Sequence, residues 1–215
     1  MTVMTAVEAW ERYAQGRTPR RERNAAGAAT WLNWTQYPDH GPDETVLGDV
    51  RGRRVLELGS GSGSNLAHLA TLGADCVGVD LAPTQTAKAR RRWGHLSNLR
   101  FHTGDAVDFL AGTGERLDVV YSIFGATWFV DPDVLLPLVW RRITPGGVLA
   151  FSHLPPADAP PRRPGALPRY DYEPDEWAKL LDGHGFVEIG YEIIDPPRGA
   201  TARTLLVHAR RPDAV

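Results

Sequence analysis

Residues 55–70 read VLELGSGSGSNLAHLA: an apolar run, glycines at 59, 61 and 63, then a helical pattern. A strand that turns through glycines into a helix brings a ligand close to bare backbone, because no Cβ stands in the way. Glu57 lies two residues before the first glycine, where it would repel a phosphate. The stretch therefore calls for a ligand that needs close backbone and also welcomes a carboxylate.

The alternation begun here continues outward. RRVLELG, DCVGVD, NLRFHT, DVVYSI and GVLAFSH are short runs rich in Val, Leu, Ile and Phe, as expected of strands buried on both faces. Helices are expected at 64–72, 83–93, 131–142 and 174–183. In the first, Leu66, Leu69 and Ala70 share one face and Gly73 is placed as a stop. Pro83 suits the first turn of the second, where its missing N–H has no partner to lose. Strand–helix alternation predicts an α/β fold with a mainly parallel sheet. At the end of the chain, FVEIGYEII (186–194) and TARTLLVHAR (201–210) are joined only by DPPRGA. That link is too short for a parallel crossover and predicts an antiparallel hairpin.

With 215 residues, 42% hydrophobic and 23% charged, the chain reads as one domain of ordinary soluble composition. A net charge of −2 gives no electrostatic case for a nucleic-acid or membrane partner. The basic runs RTPRRER (17–23) and ARRRW (89–93) are read as solvated helix faces. Cys76 is the single cysteine, which excludes an intramolecular disulfide and a cysteine zinc cluster. The N-terminal MTVMTAVEAWERYAQGR lacks the apolar core of a signal peptide, and no run reaches the roughly 18–20 apolar residues of a membrane helix, so a cytoplasmic setting is expected. Two segments stand outside the alternation. Residues 1–50 read as one or two helices and a loop, carrying Trp10, Tyr13, Trp31, Trp34 and Tyr37. Residues 154–171 hold six prolines and read as a surface insertion.

The glycine turn does not fit a dinucleotide site, because Ser64 takes the third place of G-x-G-x-x-G and the pattern is instead E-x-G-x-G-x-G. A ligand with an ammonium, a sulfonium and a ribose, but no phosphate, turns Glu57 into an asset. On these residues the chain resembles the class I S-adenosylmethionine-dependent methyltransferases of small-molecule type. VLELGSGSG resembles their first motif, and Asp80 ends the strand CVGVD 21 residues past Gly59. FHTGDAVDF, DVVYSIFGATW and ITPGGVLAFSH follow in the family's order, so the resemblance spans about 53–153.

The resemblance implies a Rossmann-like seven-stranded sheet, mostly parallel with a C-terminal antiparallel hairpin, helices on both faces and an N-terminal helical lid. It implies S-adenosylmethionine as cofactor, with Glu57, Gly59, Ser60, Gly61 and Asn65 around its amino-acid end. Asp80 and Leu81 would meet the ribose and adenine; a carboxylate can accept from both hydroxyls of a diol. Asp105 would accept from the exocyclic amine, with Ala106 as a backbone donor. Ser122 and Phe124 would flank the methionine part, and Trp34 and Tyr37 would close over it from WLNWTQYPDHG (31–41).

Methyl transfer is an in-line displacement, so alignment supplies most of the help, and aromatic faces can attract the sulfonium. Trp128 is the candidate aromatic beside the acceptor; His153 and His40 are the candidate general bases. After the fourth strand stands SIFG, not the acid- or asparagine-Pro-Pro-aromatic run that goes with methylation of DNA amines. No cysteine stands in that loop, and no histidine–acid cluster suggests a metal. The expected acceptor is a small molecule, methylated on O, N or C and lined by Phe124, Trp128, Phe129 and the proline segment, with natural-product tailoring as the expected role. A monomer or homodimer is expected. The alternatives are a nicotinamide-dependent oxidoreductase and a non-catalytic module that binds S-adenosylmethionine.

Overall fold

The computed structural model describes residues 5–16, 20–162 and 165–214. Helix α1 (Ala6–Gly16) comes first, followed by an extended segment and a short 3-10 turn at Glu44–Leu47. The repeating part then runs β1 (Arg54–Leu58), α2 (Ser64–Thr71), β2 (Asp75–Asp80), α3 (Pro83–Trp93), β3 (Leu99–Thr103) and α4 (Ala106–Gly112). It continues with β4 (Leu117–Ile123), α5 (Ala126–Phe129), α6 (Pro132–Arg142), β5 (Ile143–His153), α7 (Pro174–Gly183), β6 (Val187–Ile194) and β7 (Thr204–Arg210).

The strands form one seven-stranded sheet in the order β3-β2-β1-β4-β5-β7-β6. β1 to β5 are parallel, and β7 enters antiparallel between β5 and β6. The Rossmann-like sheet and its terminal hairpin agree with the sequence. Two helices were not expected. α4 spans seven residues, too few for a periodic signal, and is fixed by Asp105, whose Oδ1 accepts from the Val107 and Asp108 amides. α5 is a single turn of four residues. The fifth strand also starts earlier than GVLAFSH, because Ile143 already pairs with Leu117 before the register shifts.

Alternation along each strand divides the core into two layers. Leu56 and Leu58 of β1 pack with Leu110, Leu135, Phe151 and Trp177. Val55 faces the other layer, with Leu66, Leu69, Trp93, Tyr121 and Trp34. Glu57 shares Val55's parity, so β1 places a carboxyl where the pattern calls for an apolar side chain. The N-terminal segment is bolted onto this second layer. Trp34 is fully buried, its indole N–H donates to Asp43 O, and its own carbonyl accepts from Ser152 Oγ on β5 at 2.7 Å.

Between β1 and β4 the chain's direction of travel across the sheet reverses. In open α/β sheets ligands gather at the carboxyl ends of the strands beside such a reversal.

Candidate active site

A cavity of about 830 Å³ opens at that place, within the roughly 300–1,000 Å³ usual for ligand sites. It is lined by the glycine turn with Glu57, Ser64 and Asn65, by Asp80 and Leu81 after β2, and by Asp105 and Ala106 after β3. Ile123, Phe124, Ala126, Phe129 and Val130 line it after β4, and Ala6, Trp10 and Tyr13 from α1.

The three glycines of the turn do different work. Gly59 has φ +80, and a Cβ there would stand 2.8 Å from Gly125 Cα; the turns after β1 and β4 touch backbone to backbone. At Gly63, with φ +73, a Cβ would strike the Phe101 ring. Gly61 faces the cavity, its nearest neighbour being the Gln85 side chain at 3.8 Å. Gly59→Ala should therefore lower stability by about 1–3 kcal/mol through the left-handed backbone and the overlap. An unchanged urea midpoint would refute that close packing.

Glu57 is 2% exposed and its Oε2 has no hydrogen-bond partner. Burial raises its carboxyl to about 8, so at neutral pH it keeps its proton. Beside it, Asn65 Oδ1 accepts from Arg20 Nη1 at 2.9 Å and from the Asn33 amide at 3.2 Å. Arg20 also donates to Trp31 O at 3.0 Å and lies 3.8 Å over the Trp31 ring. Burial pulls the Arg20 guanidinium down to about 10, against the attraction of Glu57 and Asp39. Both Arg20 and Glu57 line the cavity, which thus holds a guanidinium cation and a protonated carboxyl side by side.

Asp80 is aimed by backbone. Its Oδ2 accepts from the Gly61 amide at 2.7 Å and its Oδ1 from the Ala82 amide at 2.9 Å. Burial raises its carboxyl while these amides oppose the shift. Phe124 sits at φ 50, a left-handed conformation that costs a non-glycine residue about 1–2 kcal/mol. Its amide donates to Ser152 O at 2.8 Å, which fixes the ring at the cavity.

Of the residues singled out in the sequence, Glu57, Gly59, Ser60, Gly61, Asn65, Asp80, Leu81, Asp105, Ala106 and Phe124 come together around the cavity. Ser122, Trp34, Tyr37, His40, Trp128 and His153 do not line it. Ser122 is fully buried and donates to Leu58 O at 2.7 Å, tying β4 to β1. Tyr37 donates to Ala202 O at 2.9 Å, and His40 Nε2 meets Asp195 O at 2.7 Å; both brace the link between β6 and β7. His153 is fully buried, stacked at 5.4 Å on Trp128, and burial lowers it to about 4, which leaves the ring neutral. Trp128 in turn donates to Asp171 Oδ1, which also accepts from Arg169. From 31–41 the cavity takes Asn33, Thr35, Gln36 and Pro38 rather than the aromatic rings.

Helix α1 covers the cavity and its second half is latched to α3 at two points. Glu11 accepts from the Thr84 amide and hydroxyl at 2.7 and 2.6 Å, and Lys88 donates to Ala14 O at 2.7 Å. Trp10 meets Phe129 edge-on at 4.7 Å. Arg20, Arg21, Lys88, Arg91 and Arg92 also line the cavity, so the runs read as solvated faces supply four of these cations and Lys88 the fifth. Among the described residues no cluster of His, Cys, Asp or Glu could hold a metal, and no helix is long and apolar enough to cross a membrane.

Residues 56–151 match the family described as "Methyltransferase domain". The trans-aconitate 2-methyltransferase of Deinococcus radiodurans is 31% identical over 158 residues, 63% of this chain and 59% of that protein. The fatty-acid O-methyltransferase of Mycolicibacterium smegmatis is 33% identical over 135 residues, 62% of this chain and 43% of that one. Across the first three curated relatives, this chain spans 38% to 59% of their length. Among solved structures, the 1,6-didemethyltoxoflavin-N1-methyltransferase of Burkholderia thailandensis, with 1,6-didemethyltoxoflavin and S-adenosylhomocysteine bound, superposes with a TM-score of 0.61 at 26% identity, covering 76% of this chain and 72% of that one. Phosphoethanolamine N-methyltransferase 2 of Haemonchus contortus shares the fold, with a TM-score of 0.63 at 17% identity, covering 79% of this chain and 51% of that one.

Proposed function

We propose, from the premise that this chain carries a class I S-adenosylmethionine-dependent methyltransferase domain, that it transfers the methyl group of S-adenosylmethionine to a small molecule. One observation carries this: the buried Glu57 Oε2, unpartnered, on a cavity otherwise equipped for a nucleoside and an amino acid. Glu57 is the partner for an ammonium, and Arg20 beside it for a carboxylate. Asp80, each of its oxygens fixed by one backbone amide, has acceptor capacity left for a ribose diol. Asp105 and Ala106 stand where an adenine edge would be read, and Leu81 offers an apolar contact.

The bound cofactor supplies a methyl group activated by a sulfonium. The protein's own part is orientation and exclusion of water. α1, Phe124 and Phe129 enclose the acceptor end, while Trp128 and His153 support that wall from behind as positioning groups. A cavity so covered suits a small acceptor better than a polymer, and the names of the relatives support the same class. Tailoring of a natural product in the cytoplasm is the finer form of the proposal. A nicotinamide dinucleotide is disfavoured because Ser64 stands where the third glycine of its turn would pack helix against strand.

Thermal denaturation tests the proposal. S-adenosylhomocysteine at a hundred times its Kd should add about 2.7 kcal/mol, a rise in Tm of roughly 5–10 °C, while NAD adds nothing. Stabilisation by NAD alone would overturn it.

A further inference from the structure

We infer that the acceptor is methylated on a carboxylate oxygen, so that the product is a methyl ester; the inference rests on the methyltransferase reading above. Its first ground is the protonation chemistry of the lining. The chain's seven histidines are all among the described residues, and none lines the cavity; nor does Cys76, which is buried in β2. The three lining carboxyls are taken up by the cofactor in the reading above: Glu57 by its ammonium, Asp80, which also accepts from the Gly61 and Ala82 amides, by the ribose diol, and Asp105, which also caps α4, by the adenine edge. Tyr13 adds a phenol, whose O–H is a donor. The cavity therefore places no group to take the proton that an alcohol must shed as its oxygen bonds to carbon.

The second ground is charge. Five cations, Arg20, Arg21, Lys88, Arg91 and Arg92, line the cavity against those three carboxyls. Among the described residues neither Arg91 nor Arg92 pairs with a carboxylate, whereas Arg21 pairs with Asp39. A cofactor with two positive charges and one negative makes the site more cationic still. An amine, protonated in neutral water, would enter against that field; an anion enters with it. A carboxylate needs neither a base nor a charge change before it reacts. One of its oxygens forms a bond to the methyl carbon, the carbon–sulfur bond breaks, and the electron pair stays on sulfur. Anion and sulfonium become a neutral ester and a neutral thioether, and no proton moves. Trp10, Phe124, Phe129, Val130 and Leu167 line the cavity too, so the rest of the acceptor is apolar.

Matched compounds test this: cinnamate, cinnamyl alcohol and cinnamylamine, and decanoate, decanol and decylamine. Calorimetry on the protein saturated with S-adenosylhomocysteine should show each carboxylate binding at least about 10-fold tighter than its alcohol and amine. With methyl-labelled S-adenosylmethionine, the label should enter products that release methanol in mild alkali, at a saturated rate flat from about pH 6 to 8.5. Arg91→Gln with Arg92→Gln should weaken carboxylate binding while leaving affinity for S-adenosylhomocysteine unchanged. Label in alkali-stable products of the alcohols or amines overturns the inference, as does an absence of any preference for carboxylates in binding. If the double variant loses both ligands together, its fold has suffered and the wild-type binding comparison decides alone. A wild-type protein that ignores S-adenosylhomocysteine fails the methyltransferase reading itself; one that binds it and ignores carboxylates fails only this inference.

Discussion

Glu57→Gln is expected to make the ligand-free protein more stable at pH 8 while weakening S-adenosylhomocysteine binding by about 100-fold or more. Both effects follow from one buried carboxyl. Unfolded, it ionises near 4.5; folded, near 8. Below pH 4.5 both states hold the proton and nothing is gained or lost. Between 4.5 and 8 the folded state keeps the proton that the unfolded state releases, so stability falls as pH rises, and the full penalty is present above 8. Gln carries no such penalty. The variant should melt several degrees above the wild type at pH 8 and level with it at pH 4.5, the carboxyls common to both proteins cancelling. Binding shows the other side. Between about pH 6 and 7 the wild-type carboxyl must give up its proton to meet an ammonium, so one proton leaves on binding and affinity climbs about tenfold per pH unit. Calorimetry in two buffers of different ionisation enthalpy reads that proton directly, and Glu57→Gln should release none. A variant that melts lower at pH 8 and binds as before would show that Glu57 is an ordinary core partner.

That Glu57 breaks the strand's pattern was visible in the letters, because an acid sits in an apolar run just before glycines. The sheet was visible for a similar reason: buried parallel strands are continuous apolar runs, and a six-residue link admits only a hairpin. α4 escaped because seven residues hold under two helical turns, although Asp105, read as a ligand contact, also caps it. Gly59 and Gly63 looked like openings for a ligand, yet each is filled by the protein, by the Gly125 backbone and the Phe101 ring. Tertiary packing of that kind leaves no local trace. The aromatic residues of 31–41 and the histidines at 40 and 153 were chosen by residue type. The fold sends Trp34 and His153 inward and turns Asn33, Thr35 and Gln36 to the cavity. Arg20 had no signal at all, since nothing in RTPRRER marks one arginine out from the others.

Arg20→Met should cost S-adenosylhomocysteine about 10- to 100-fold in affinity and leave 5′-methylthioadenosine unaffected, since a hydrogen-bonded charge contributes about 1.5–3 kcal/mol. The two ligands share the nucleoside and the thioether; only the first carries an amino-acid end. Arg20 is already oriented for such a group, with donors spent on Asn65 Oδ1 and Trp31 O and the others of its five left over. Met keeps an unbranched stem and a sulfur that packs well on the Trp31 ring, so the wall it forms should survive. The variant also removes the positive charge that favours ionised Glu57, so the carboxyl should hold its proton to higher pH and deepen the loss near pH 7. General damage to the site would weaken both ligands alike, and that outcome would remove Arg20 from the site. A selective loss would mean that the amino-acid end is gripped by Glu57 from β1 and by a residue 36 positions before the matched segment at 56–151. Recognition of the amino-acid end would then depend on the N-terminal segment being bolted to the sheet through Trp34, whose carbonyl accepts from Ser152 on β5.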